Sequence, residues 1–185
     1  MKTEKTALSD ILIIIPDVFA DERGFFVETF QEARYQEVLG ITDRFVQDNL
    51  NFSKKGVLRG LHYQASPMAQ GKLVSVLSGR VLDVAVDMRD GSLTYGQHVM
   101  VELSGDNHRQ LWIPQGFAHG FVVLEDNTLF SYKCTDIYSK EHDRGVLWND
   151  PALGIEWGVE NPIVSEKDQK HPLFADVPKE FVFKG

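Results

Sequence analysis

Cysteine is nearly absent from this sequence of 185 residues, since Cys134 is the only one. No disulfide can form within the chain, and a single thiol is typical of a protein of the reducing cytoplasm, which is the compartment we expect. Long apolar runs are also missing. The run at residues 11–15 ends at Pro16, far short of the ~20 residues of a membrane span, and Glu4 and Asp10 interrupt any signal-peptide pattern.

Basic residues are scarce relative to acidic ones. The 19 Lys and Arg residues face 27 Asp and Glu residues, which gives a formal net charge of −8. This balance argues against a protein that coats nucleic acid, and no membrane partner is expected either. A few inward-facing cations could still hold one anionic small ligand, because the local field decides binding.

Low-complexity segments, solenoid-length repeats and Ser/Gly linkers are lacking, so we expect a single domain over residues 1–185. One helix is predicted at residues 31–39, where QEARYQEVL is followed by Gly40. The stretch from about residue 150 to 185 carries four prolines and is expected to wrap the domain as loops and short helices.

Short strands bounded by turn residues dominate the rest of the chain. Residues 81–88, VLDVAVDM, alternate between two faces, and KLVSVLSG leads into them through Ser78 and Gly79, which predicts a hairpin. Further strands are predicted at 25–30, 57–64, 98–103, 110–113, 119–124 and 128–137. This pattern predicts a mainly β fold, either a sandwich, a jelly roll or a small barrel.

A complete set of metal ligands is missing as well. His62 in GVLRGLHYQ is followed two residues later by Gln64 rather than a second histidine, and His119 in PQGFAHGF stands alone in its strand. Structural and catalytic sites usually need three or four ligands, so no metal is predicted. Without further context His119 is more simply a core histidine bonded to backbone.

Histidines without metal can act as acids or bases, helped by a carboxylate that fixes the tautomer. The candidates for this orienting role are Asp48, Asp83, Asp87 and Asp168. Asp168 follows Ser165 at capping-box spacing, and sequence alone favours a helix-capping role for it.

Four other side chains have both a structural and a functional interpretation. Tyr132 is a core tyrosine or a proton donor, and Lys72 is a surface lysine or a cation that stabilises an enolate. Arg23 and Arg59 form surface ion pairs or clamp phosphate. Strict alternation separates Arg59 from His62, so both reach one pocket only if Gly60 marks a bulge or the strand starts later.

The sequence resembles the dTDP-4-dehydrorhamnose 3,5-epimerase family from about residue 10 to 175, in the segments FADERGFFVETF, FVQDNLNFS, GVLRGLHYQ, WIPQGFAHGF, YKCTDIYS, LWNDPALGIEW and SEKD. The Pro-x-Gly-x-x-His element is also similar to the wider cupin superfamily. The resemblance implies a mainly β, cupin-type jelly roll with short peripheral helices. It also implies a homodimer, often with exchanged N-terminal strands, and no metal or other cofactor.

The resemblance further implies a substrate and a set of roles. The substrate is dTDP-4-dehydro-6-deoxy-D-glucose, and the product is dTDP-4-dehydro-L-rhamnose. The family's catalytic positions correspond to His62 as base, Asp168 as its partner, Tyr132 as acid and Lys72 near the keto group. Its other substrate contacts correspond to Arg23, Glu28, Gln47, Asn49, Arg59, His119, Asp143 and Lys167, where Asp143 departs from an expected glutamate.

Three alternative functions remain open from the sequence. One is an epimerase that acts at C3 only, in another deoxysugar pathway. Another is a metal-dependent cupin enzyme, and the third is a sugar-binding cupin without catalysis. Counting the exchanged carbons, treating the protein with a chelator and looking for proton exchange distinguish these functions.

Overall fold

Two antiparallel sheets form the body of the protein, whose computed structural model describes residues 1–183. The first sheet has the order β1 (Lys2–Lys5), β2 (Leu12–Ile15), β11 (Gln110–Ile113), β7 (Lys72–Ser78), β13 (Thr128–Cys134) and β5 (Gln47–Ser53). The second has the order β10 (His98–Ser104), β8 (Arg80–Asp87), β12 (Phe117–Val123), β6 (Val57–Gln64) and β14 (Asp143–Gly145).

Smaller elements lie around these sheets. The strand β15 (Ile163–Val164) runs parallel to β6, β3 (Val18–Asp21) pairs with β4 (Gly24–Val27), and β9 (Arg89–Asp90) pairs with β16 (Phe181–Val182). Two 3₁₀ helices span Asp168–Lys170 and Phe174–Asp176. None of the helices in residues 1–183 has the length and apolarity needed to cross a membrane.

A shared core explains why the two sheets face each other. Alternating side chains of each sheet point toward the other sheet, as period-2 patterning requires. The second sheet is buried on its outer face as well, where residues of β6, β8 and β12 pack against the C-terminal part of the chain. Buried residues from both sheets form one cluster that includes Val74, Leu111, Phe130, Val81 and Phe121. The mainly β prediction is therefore confirmed.

The single predicted α-helix is confirmed as α1 (Glu32–Leu39). Its first residue is capped by the Gln31 side chain, which accepts from the backbone N–H of Arg34 at 2.6 Å. Gly40 ends the helix in a left-handed conformation. The inward face of α1 packs against Trp112 of β11, so the helix covers the outer side of the first sheet.

The hairpin predicted at Ser78 and Gly79 is wrong. β7 belongs to the first sheet and β8 to the second, so the chain crosses between sheets at this point. The apolar side chains of both strands enter the same core, as Val76 and Val81 do. Strands that share a core in this way face each other across it and do not lie side by side.

Candidate active site

A cleft with two connected parts lies between the sheets. The inner part has a volume of about 150 Å³ and the outer part about 460 Å³. His62, Lys72 and Tyr132 line both parts. Together the two parts fall within the size range of small-ligand pockets.

A bulge in β6 brings Arg59 and His62 to the inner cavity. His62 pairs with His119 of β12, whereas Arg59 pairs with Phe121, so two residues of β6 oppose the single residue Gly120. Gly60 permits this irregularity, because its φ is +121° and a Cβ there would lie 2.6 Å from the Cα of Gly120. The predicted bulge is confirmed.

His62 is bonded to a carboxylate from a distant part of the chain. Its Nε2 donates to Oδ1 of Asp168 at 2.7 Å, and the backbone N–H of Gly60 donates to Oδ2 at 3.2 Å. The pairing of β15 with β6 brings the 3₁₀ helix that begins at Asp168 beside His62. A carboxylate on Nε2 leaves Nδ1 as the unprotonated nitrogen.

Asp168 does not cap a helix as the sequence alone suggested. Its N–H donates to the Ser165 hydroxyl at 3.1 Å, but the residue before the 3₁₀ helix is Lys167, and no side chain of the described residues caps that helix. The carboxylate does not turn back to complete a capping box, because it is bonded to His62 and Gly60. The structure thus contradicts the sequence-only preference for a capping carboxylate.

The buried environment of His62 favours its neutral form. Burial lowers the pKa of His62, the Asp168 carboxylate opposes that shift, and Lys72 and Lys167 add to it. Burial acts to raise the pKa of Asp168, but His171, His62 and the N–H of Gly60 outweigh burial and hold this pKa far below its usual value. The pair is therefore a neutral imidazole beside an ionised carboxylate.

A second histidine–aspartate pair lies at the inner cavity. Nε2 of His119 donates to both carboxylate oxygens of Asp83, at 3.0 and 2.9 Å. The two residues occupy neighbouring strands, and both are almost fully buried. Burial raises the pKa of Asp83, while His119 and Lys72 act in the opposite direction. His119 is thus bonded to a side chain, not to backbone as the structural interpretation expected.

Tyr132 and Lys72 reach the cavity from the first sheet. Tyr132 lies on β13, and Lys72 is opposite Cys134 of the same strand in the pairing of β7 with β13. Burial raises the pKa of Tyr132, so its phenol remains protonated at neutral pH. Burial lowers the pKa of Lys72, opposed by Cys134 and Asp143.

The outer cavity is polar. Gln47 and Asn49 line it from β5, while Asp143 and Lys167 line it from the second sheet and the C-terminal segment. Asp143 forms an ion pair with Lys167 and accepts from the hydroxyl of Tyr138 at 3.2 Å. Burial acts to lower the pKa of Lys167, but the contact with Asp143 outweighs it and raises this pKa.

Two predicted substrate contacts lie apart from the cleft. Arg23 is exposed in the turn between β3 and β4, where it pairs with Asp21. Glu28 pairs with Arg34 and lines a different surface cavity. Of the twelve predicted site residues, nine line the cleft and Asp168 is bonded to one of these nine, His62. Arg23 and Glu28 are the two that lie outside it.

Sequence reasoning missed several residues that line or support the cleft. Asn51 follows Gln47 and Asn49 on the inward face of β5, so alternation could have found it. Tyr138 lies beside Asp143, and His171 contacts Asp168. His171 gave no signal of its own, because its position depends on how the C-terminal segment folds back.

His62, Asp168 and His171 place possible ligand atoms within 4.8 Å of one another. In this arrangement Nε2 of His62 and Oδ1 of Asp168 are already bonded to each other. A metal ion would have to break that bond to reach both atoms. The cluster fits a proton-transfer role better than a coordination site.

Comparison with known proteins places this chain in a family. The model of the dTDP-4-dehydrorhamnose 3,5-epimerase family matches residues 5–176. The chain belongs to this family. It is 54% identical to the dTDP-4-dehydrorhamnose 3,5-epimerase of Shigella flexneri, over 95% of this chain and 97% of that protein.

Solved structures of the family support the same placement. The dTDP-6-deoxy-D-glucose-3,5-epimerase of Legionella pneumophila, solved with dTDP-4-keto-L-rhamnose, is 52% identical with a TM-score of 0.96, over 100% of this chain and 99% of that one. A 3'-monoepimerase from Streptomyces bikiniensis with dTDP-quinovose is 29% identical with a TM-score of 0.87, over 92% and 87%. The predicted cupin-type fold is confirmed.

Proposed function

We propose that this protein inverts C3 and C5 of dTDP-4-dehydro-6-deoxy-D-glucose to give dTDP-4-dehydro-L-rhamnose. The observation that carries the proposal is the presence of His62 and Tyr132 on the walls of one cavity, with Lys72 between the two cavity parts. The family membership and the 52% identical structure with a bound dTDP-4-keto sugar support it.

The chemistry follows from the 4-keto group of the substrate. A ketone acidifies the C–H bonds at C3 and C5, because the electron pair left behind is delocalised as an enolate. Neutral His62 takes the proton and becomes an imidazolium that the Asp168 carboxylate stabilises. Tyr132 then gives its phenolic proton to the same carbon from the opposite ring face, which inverts that centre. Solvent takes the proton from His62 and returns one to Tyr132, so both groups regain their starting state before the second centre reacts.

The enolate oxygen needs a positive environment while it exists. Lys72 and His119 line the inner cavity and are the groups proposed to contact this oxygen. Because His62 removes the proton and Tyr132 returns one, the proposal requires no metal or redox cofactor. Gln47, Asn49, Arg59, Asp143 and Lys167 are proposed to hold the nucleotide-sugar around the reacting ring.

Solvent exchange tests this function. In D₂O the protein is expected to incorporate deuterium at C3 and at C5 and to yield the doubly inverted sugar, as read by NMR of the product. Exchange at C3 alone would instead favour the C3-only epimerase, the activity named for the Streptomyces bikiniensis protein that is 29% identical to this chain. Absence of exchange at both carbons would rule out the proposal.

A homodimer is part of this proposal, and its support is the surface of the β3–β4 hairpin. Phe19, Phe25 and Phe26 are 64, 61 and 67% exposed there. A two-stranded hairpin of this kind is marginally stable in isolation and needs a partner surface. Exchange of this segment between two chains would cover the phenylalanines, and it would offer a route for Arg23 and Glu28 to the partner's cleft.

The oligomeric state is measurable by light scattering. We expect a mass of twice the 21.0 kDa of one chain. Phe26→Asp is expected to give monomers with weakened substrate binding, because it places a charge in the proposed interface. The control is Leu93→Asp at a 97% exposed leucine outside the hairpin, which is expected to remain dimeric. A monomeric wild-type protein would contradict the proposal.

The cytoplasm remains the proposed compartment. The one cysteine, Cys134, is buried as a free thiol beside Lys72. A thiol in the wall of the proposed active site is consistent with a reducing environment. Localisation of a tagged full-length chain by fractionation would test this part.

A further inference from the structure

His171 lies immediately behind the proposed base. It follows the 3₁₀ helix Asp168–Lys170, and its imidazole packs edge-on against His62 with ring centroids 5.6 Å apart. The side chain is only 10% exposed. His171 is not among the residues that line the cleft, so direct contact with a substrate does not explain its position.

The second sheet leaves a space for this ring. Gly145 of β14 is the direct cross-strand partner of His62. A Cβ at Gly145 would lie 2.4–2.5 Å from the Cε1, Nε2 and Cδ2 atoms of His171. Only a residue without a side chain therefore allows the His171 ring to sit beside His62.

One nitrogen of His171 is buried without a formed hydrogen bond. Its Nε2 lies 3.5 Å from Oδ1 of Asp168, the same oxygen that accepts from His62. A shift of about 0.5 Å would bring this contact to an ordinary bond length. Buried polar atoms that lack a partner are rare in proteins and call for an explanation.

We infer that His171 is a positioning residue for the proposed base, because its Nε2 lies 3.5 Å from the Asp168 oxygen to which His62 is bonded and has no other partner in the described part of the chain. The inference rests on the proposed function and deepens it. His171 acts through Asp168: together with the N–H of Gly60 it fixes the carboxylate, which in turn fixes the ring and tautomer of His62.

This arrangement also sets the direction of an electrostatic effect. Each donor to Asp168 draws negative charge away from His62, so removal of the His171 donor should make protonation of His62 easier. The other titratable groups that line the cleft with His62 come from several elements: Lys72 on β7, Tyr132 and Cys134 on β13, His119 on β12, Asp143 on β14, and Tyr63, Tyr138 and Lys167. None of these side chains is changed in variants of His171, so a shift in those variants reports on His171.

Paired substitutions test the inference. His171→Leu removes the N–H donor, whereas His171→Gln keeps one. For His171→Leu we expect kcat to fall about ten-fold with KM within about two-fold of wild type, a loss smaller than the ~10²-fold or more that a general base contributes. His171→Gln is expected to recover most of this loss. The controls are the same substitutions at His98, a half-buried histidine on β10 away from the cleft.

A second route displaces the ring without changing His171. Gly145→Ala should push the imidazole away and lower kcat to a similar degree. In a His171→Ala background the ring is gone, so Gly145→Ala should then add little further loss. An undiminished effect of Gly145→Ala in that background would show that the substitution acts through β14 itself, and it would count against the inference.

The titration of His62 gives a reading that needs no substrate. By NMR of the free protein, the His62 ring should titrate at a higher pH in His171→Leu, by roughly half a unit. An unchanged titration with unchanged kcat, or equal losses in the Leu and Gln variants, would overturn the inference. If the wild type exchanges no substrate protons, the proposed function fails, while this titration still decides the role of His171.

Discussion

Two histidine–aspartate pairs meet at one cavity, and they differ in how many donors each carboxylate serves. Asp168 accepts from His62 on one oxygen and from the N–H of Gly60 on the other. Asp83 accepts on both oxygens from the single nitrogen of His119, and the described residues offer it no other hydrogen bond. The same two residue types thus form one pair whose carboxylate has several donors and one pair whose carboxylate has a single donor.

The pKa values of the two carboxyls move in opposite directions for this reason. Burial raises the pKa of Asp83, and one imidazole with the charge of Lys72 does not reverse the shift. Burial acts on Asp168 too, but several donors outweigh it and lower the pKa. The contrast teaches that the chemical identity of a pair does not set its role. The number of donors around each carboxylate sets the direction in which its pKa moves.

The largest expected effect is that of Asp168→Asn. An amide has one acceptor oxygen, so it cannot serve both His62 and Gly60, and its NH₂ group would favour the wrong tautomer of His62. We expect kcat to fall about 10²- to 10⁴-fold, as for loss of a working general base. Steady-state kinetics with the dTDP-4-keto sugar measure this loss, and a decrease below five-fold would remove Asp168 from the proposed role.

Asp83→Asn is expected to be much milder. A single amide oxygen can still accept from Nε2 of His119, since no second donor competes for it. We expect kcat to change by about ten-fold or less. Equal losses in the two asparagine variants under the same assay would show that the comparison between the pairs is wrong.

The smallest expected effect concerns the pH profile. A lowered pKa keeps His62 neutral below its ordinary value of about 6.5, so kcat/KM should fall on the acid side only with an inflection below that pH. Asp83→Asn should leave this inflection nearly in place, because the charges that act on His62 are those of Asp168, Lys72 and Lys167. An inflection above 6.5 in the wild type would contradict the description of the base.

Much of the fold follows from sequence patterns, because period-2 alternation directly reflects which face of a strand is buried. The bounds of α1 and β6 were predictable from Gly40 and from the run around His62. The crossing at Gly79 was not, since a glycine between two strands is compatible with pairing in one sheet or with passage to the other. Only the three-dimensional core shared by Val76 and Val81 distinguishes these outcomes.

The candidate site divides in a similar way. His62, Tyr132 and Lys72 were recognisable because they lie in motifs that resemble those of the family, whereas alternation alone left their roles open. Asp168 was misleading, because its spacing from Ser165 favours a cap, and only the fold of the C-terminal segment brings its carboxylate to His62. His171 could not be predicted, because its position depends on the parallel pairing of β15 with β6. β15 has only two residues, too few to show the alternation that identifies a strand in a sequence.

The most direct test of the account is deuterium exchange by His62→Ala and Tyr132→Phe, each compared with the wild type in D₂O. We expect His62→Ala to lose exchange at both carbons, while Tyr132→Phe still releases substrate protons but yields little inverted product, most clearly at C5. Exchange that persists in His62→Ala, or inversion that is untouched in Tyr132→Phe, would contradict the assignment of base and acid to this cavity.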